Sequence, residues 1–133
     1  MSEFKVVRKP IYVFRIDDAY LFKHYFDRDD LVSELNDYYN REKYRFEVPQ
    51  EEFPAVTELL EKNDFDLQIV NELEEFCVVK EEYTEHSEIP RNSVLHWNRD
   101  GYNFFLMKDP IAVDQAIEQG ATRIEATDLV LGI

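Results

Sequence analysis

Apolar residues in this chain recur with a period of two, then 3.6, then two again, and this switching of period limits the fold more than any single motif does. Lys43 to Val48 (KYRFEV) alternates strictly, with Tyr44, Phe46 and Val48 on one face, and Pro49 ends the run. Phe53, Val56, Leu59 and Leu60 then fall on one helical stripe, with Glu51, Glu52, Glu58, Glu61 and Lys62 outside it and Asn63-Asp64 closing it. Phe65 to Val70 (FDLQIV) returns to alternation. The spacing predicts a strand–helix–strand unit over 43–70, whose two strands could pair in parallel through a right-handed crossover.

The flanking segments add strands and two more helices. Ile11 to Ile16 (IYVFRI) reads as a strand, and Pro10 suits a strand's beginning. Asp17-Asp18 interrupts it, and the apolar stretch Tyr20 to Phe26 reads as the second arm of a hairpin or as a short helix. Asp27, Asp29 and Asp30 then open a helix whose stripe is Leu31, Val32, Leu35, Tyr38 and Tyr39. Glu75 to Tyr83 reads as a strand. Ser93 to Asn98 and Tyr102 to Lys108 flank Arg99-Asp100-Gly101, a hairpin signal because Asp-Gly suits positive φ. Asp109 and Pro110 begin a third helix, with Ile111, Val113, Ala116 and Ile117 apolar and Gly120 at its end. Thr122 to Ala126 reads as a last strand. The expectation is one α+β domain over 1–133, with a mixed or antiparallel sheet of five to seven strands and three amphipathic helices mostly on one face.

Composition narrows the function classes. The chain has 133 residues, 29 Asp/Glu and 15 Lys/Arg, for a net charge of −14. Residues 27–88 hold six Lys/Arg against twenty Asp/Glu, whereas residues 1–26 hold five against three. Such a charge repels phosphate backbones and anionic headgroups, which argues against nucleic acid and membrane partners. No apolar run approaches the roughly 20 residues of a membrane span, and Met1-Ser2-Glu3-Phe4-Lys5 lacks a signal-peptide layout. A single cysteine, Cys77, precludes an internal disulfide. A soluble cytoplasmic chain is expected. Its acids fall on polar helix faces, as in proteins suited to high salt; a docking face for a basic partner, or a nucleic-acid mimic, is the competing reading.

No phosphate-cradling loop is present: Gly101, Gly120 and Gly132 are too far apart for GxGxxG or GxxxxGK[ST]. HExxH, GxSxG, CxxC and the EF-hand loop are also missing. Cys77, His86 and His96 fall within twenty residues, near Glu85, Glu88 and Trp97, and thiolate with imidazole suits zinc, copper or an activated nucleophile. Their spacings of nine and ten match no compact metal motif, and the favoured reading is a buried core thiol with surface imidazoles. His86-Ser87-Glu88 has the H-x-E spacing of zinc deaminases without the downstream P-C-x-x-C those enzymes need. Asp17-Asp18 and Asp64-Phe65-Asp66 are paired carboxylates at strand ends, where magnesium ligands or acid–base pairs can sit, but turn and cap roles explain both pairs without any chemistry.

No cofactor is implied. The function read from these features is a non-enzymatic protein-interaction or self-assembling module adapted to salt. The alternative is a small enzyme or ligand-binding module with a pocket near His86, His96 and Trp97. Leu129, Val130, Leu131 and Ile133 make an apolar tail that either folds back on its own sheet or crosses to a second copy as a homodimer contact.

Overall fold

A computed structural model describes residues 8–82 and 88–133. Among these residues the chain is an α+β fold of three α-helices and nine strands, and the strands divide between two sheets. The first sheet is ordered β3-β4-β2-β1-β5, from β1 (Lys9–Ile16), β2 (Ala19–Phe22), β3 (Tyr39–Asn40), β4 (Arg45–Pro49) and β5 (Phe65–Val70). The second is ordered β7-β8-β6-β9, from β6 (Cys77–Glu81), β7 (Ser93–Arg99), β8 (Tyr102–Met107) and β9 (Thr122–Arg123).

The hairpin reading of Asp17-Asp18 holds. Ile16 pairs with Ala19, and Asp17 takes φ +54°, a conformation Asp tolerates better than most residues. This hairpin occupies the middle of the first sheet. Its β2 edge accepts β4 antiparallel, and its β1 edge accepts β5 parallel, from Lys9↔Phe65 to Phe14↔Val70. β4 and β5 therefore run the same way without pairing, because β1 and β2 lie between them. The central position also explains why Ile11–Ile16 does not alternate in polarity. Ile11 and Val13 pack into one apolar cluster with α1 (Asp29–Leu35) and α2 (Phe53–Lys62), while Tyr12, Phe14 and Ile16 pack into another with the second sheet.

That second cluster holds Cys77, Val78, Val79 and the whole run Phe104–Met107, and α3 (Pro110–Glu118) adds Ala112, Val113 and Ala116. Helices thus cover both sheets, two on the first and one on the second. Asp100 and Gly101, at φ +53° and +83°, form the tight turn between β7 and β8. Asp109 Oδ1 accepts the Ala112 N–H at 2.7 Å as the N-cap of α3, and Gly120 closes that helix at φ +98°.

Three expectations change in detail. Tyr44 is not on the inner face of β4: it precedes the strand at φ +53° and is 65% exposed. The first helix stops at Leu35, and a 3₁₀ turn over Asn36–Tyr38 delivers Tyr39 to β3. After β9 the chain enters a 3₁₀ turn at Ile124–Ala126. The tail folds back: Leu129 and Leu131 pack on the second cluster, and the Arg99 guanidinium donates to the carbonyls of Val130 and Leu131. Val130 and Ile133 remain exposed.

Candidate functional site

A groove of about 830 Å³ opens where the end of β2 and the β3–β4 turn meet β7 and the 3₁₀ turn before it. Its walls come from three stretches of chain separated in sequence: Lys23–Tyr25, Tyr39 with Glu42–Arg45, and Pro90–Arg91 with Ser93–His96. The lining holds Lys23, Lys43, Arg45 and Arg91 against one carboxylate, Glu42. A chain with twice as many acids as bases thus gathers four of its 15 Lys/Arg around one opening.

Local hydrogen bonds fix these walls. Asn40 Oδ1 accepts the N–H groups of Glu42 at 3.0 Å and Lys43 at 3.1 Å, an Asx turn that shapes the β3–β4 connection. Arg45 is largely withdrawn from water, with 12% of its side chain exposed. Its Nε donates to Glu47 Oε1 at 2.8 Å, and its Nη1 donates to the Val94 carbonyl at 2.8 Å, so it ties β4 of one sheet to β7 of the other. Lys23 Nζ donates to the Arg91 carbonyl at 2.9 Å and spans the same junction. Ser93 Oγ donates to the Pro90 carbonyl at 2.9 Å and holds the turn that carries Arg91.

The electrostatics follow from this gathering of charge. Burial, then repulsion from Lys108 and Arg45, lowers the Lys23 ammonium from 10.5 to about 8. His24 is lowered by burial first and then by Lys108 and Lys9. Glu47 and Glu88, which pair with Arg45 and Arg91, stand outside the lining. Tyr25, 88% exposed, and Tyr44 stand at the rim with phenol rings in water. Convergent cations beside exposed rings suit a small anion that carries a planar group.

The residues singled out from sequence are dispersed. His96 lines the groove, stacked on Phe105 with ring centres 4.4 Å apart and with Nε2 3.1 Å from Asn103 Oδ1. Trp97, the next residue on β7, points to the other face and stacks on Phe104 at 5.4 Å. Cys77 is buried in β6, and desolvation pushes its thiol up to about 12, so it stays protonated and unreactive at neutral pH. His86 and Glu85 lie outside the described residues. Asp17 and Asp18 sit exposed at the hairpin tip, where the Asp18 carbonyl accepts the Gln50 N–H at 3.0 Å. Asp64, at φ +68°, carries the chain out of α2, and its carbonyl accepts the Lys9 N–H at 3.0 Å. Among the described residues no three His, Cys, Asp or Glu side chains are grouped to hold a metal ion, and no helix is long and apolar enough to cross a membrane.

Sequence reasoning missed Lys23, Lys43, Arg45 and Arg91. For Lys23 the available signal was the basic balance of residues 1–26 within an acidic chain, which pointed to no particular side chain; Lys43 and Arg45 lie in the acidic stretch 27–88 and Arg91 just beyond it. Compared with protein-family models, curated proteins and solved structures, the chain matches none.

Proposed function

We propose that this chain is a non-enzymatic binding module that takes a small aromatic anion into the groove between its two sheets. The observation that carries the reading is the lining: four Lys/Arg and one carboxylate in a chain of net charge −14. The volume of about 830 Å³ lies within the range of small-molecule sites. A long polyanion such as nucleic acid would also run over the acidic surface beyond the groove and be repelled there, whereas a small anion meets only the cations. The acidic remainder is read as a solvating surface suited to salt, and a reducing cytoplasmic setting fits the single buried thiol. In the tail Leu129 and Leu131 pack on the chain's own core, which favours its folding back over a dimer contact, although Val130 and Ile133 stay exposed.

Calorimetry at low salt with pyridoxine 5′-phosphate, a phosphorylated aromatic alcohol, tests this. One site is expected, and removing two exposed rim cations (Lys43→Ala with Arg91→Ala) should weaken it by about tenfold or more, since each charge-assisted hydrogen bond contributes about 1.5–3 kcal/mol before solvent screening. Unphosphorylated pyridoxine should not bind. Equal heats from both compounds, or from the doubly substituted chain, would refute the reading.

A further inference from the structure

We propose that Lys23 is a reactive amine that captures anionic aldehydes in the groove as an imine; this rests on the groove being an anion site. Lys23 is half-buried and makes no ion pair among the described residues, although the chain holds 29 carboxylates. Its hydrogen bond goes instead to a neutral acceptor, the Arg91 carbonyl. Cations crowd it: Arg45 on β4, Lys108 just past β8, and Arg91 on the turn before β7. Glu42 is the one carboxylate that shares its lining and makes no ion pair with it, while Glu47, Asp109 and Glu88 are engaged with Arg45, Lys108 and Arg91. An ammonium without a counter-ion, partly withdrawn from water and next to other cations, loses its proton readily, which is how lysines become nucleophiles.

The same placement supplies the selectivity. Lys43, Arg45 and Arg91 hold the anionic group of a bound molecule while its carbonyl reaches Nζ. The neutral amine nitrogen attacks the aldehyde carbon, and a proton passes from nitrogen to the carbonyl oxygen to give the carbinolamine. Loss of water then forms the carbon–nitrogen double bond. No oxidant or reductant enters. With the amine at about 8, roughly a fifth of it is neutral at pH 7.4, against about a thousandth for an ordinary lysine.

Pyridoxal 5′-phosphate at a substoichiometric level, followed by borohydride, which donates hydride to the imine carbon, fixes the adduct for peptide mapping by mass. We expect Lys23 to take at least about tenfold more label than any other lysine, with a labelling rate that climbs through about pH 8 rather than above 10. An uncharged aldehyde, benzaldehyde, should keep only the preference that the neutral amine supplies and lose the part that anion binding adds. Lys23→Arg keeps the positive charge and should still bind pyridoxine 5′-phosphate, yet give no adduct above the background of surface lysines. If the non-aldehyde analogue binds in the groove and label spreads evenly over the lysines, the imine inference is overturned and the anion site stands. If the analogue fails to bind but Lys23 is still labelled selectively, the reactive amine stands and the anion site does not. If neither occurs, both fall.

Discussion

Arg45→Met tests whether the junction between the sheets is held by polar ties. Arg45 spends two guanidinium nitrogens there, one on Glu47 and one on the Val94 carbonyl, with its side chain 12% exposed. Met retains most of the apolar stem and removes both donors. Hydrogen bonds that involve a charged group contribute about 1.5–3 kcal/mol each. Glu47, a third exposed, recovers part of its share from water, but the Val94 carbonyl belongs to a residue 2% exposed and recovers little. The net cost should then be about 2–4 kcal/mol. For 133 residues the unfolding entropy near the midpoint is about 0.28 kcal/mol/K, so the Tm should fall by about 7–14 °C. Urea unfolding of Arg45→Met, Glu47→Gln and the double substitution closes a cycle, and coupling of about 0.5–3 kcal/mol is expected. A loss below about 0.5 kcal/mol for Arg45→Met would mean that apolar packing across Phe14 holds the sheets together and that the Arg45 ties are incidental.

Three further outcomes are expected. Raising KCl from 0.1 to 1 M should raise the Tm, with most of the gain below 1 M as the screening length shrinks from about 10 to 3 Å; a flat or falling Tm in thermal melts counts against carboxylate repulsion. Asp109→Ala should cost about 1 kcal/mol in urea through the lost cap to Ala112, and Gly120→Val at least about 1 kcal/mol through backbone strain, since the nearest atom to an added Cβ, Lys80 Cε at 3.6 Å, leaves space. A chain ending at Asp128 should melt lower, by about 2–3 kcal/mol of stability for two partly buried leucines, while sedimentation shows the intact chain as a monomer; an unchanged melt would make the tail a passive end.

Much of the fold was legible where a local signal settles a local structure. Asp109-Pro110 and Gly120 bound α3, Asp100-Gly101 turns β7 into β8, and the stripe of Phe53, Val56 and Leu60 marks α2. The division into two sheets was not legible, because periodicity says which residues face inward and nothing about which strand lies alongside. Tyr44 illustrates a smaller failure. Its place in the alternation Tyr44, Phe46, Val48 fits a strand, but the Asx turn built on Asn40 extends to its doorstep and the chain leaves the pleat. At the site, Cys77, His96 and Trp97 were grouped by nearness in sequence. Strand parity then sent His96 and Trp97 to opposite faces, and burial took Cys77 out of reach. The groove cations gave no pattern because each comes from a different turn or strand end and acquires meaning only when the sheets meet.

The two charge distributions in this chain should respond to salt in opposite directions, and that opposition separates the proposed site from the general acidity. Carboxylates along residues 27–88 repel one another, so screening stabilises the fold. The groove attracts an anion through exposed cations at its rim, so screening weakens the ligand. Arg45 and Lys23 lie deeper and are screened less, which leaves a residual affinity that salt does not abolish. A chain whose binding and stability both rose with salt would be taking its ligand by apolar contact, through Tyr25, Tyr39 and Tyr44. A chain whose binding collapsed to nothing at 1 M would be using the rim alone. Only a rise in Tm together with a partial loss of affinity matches a groove with two deep cations beneath an exposed ring of charge.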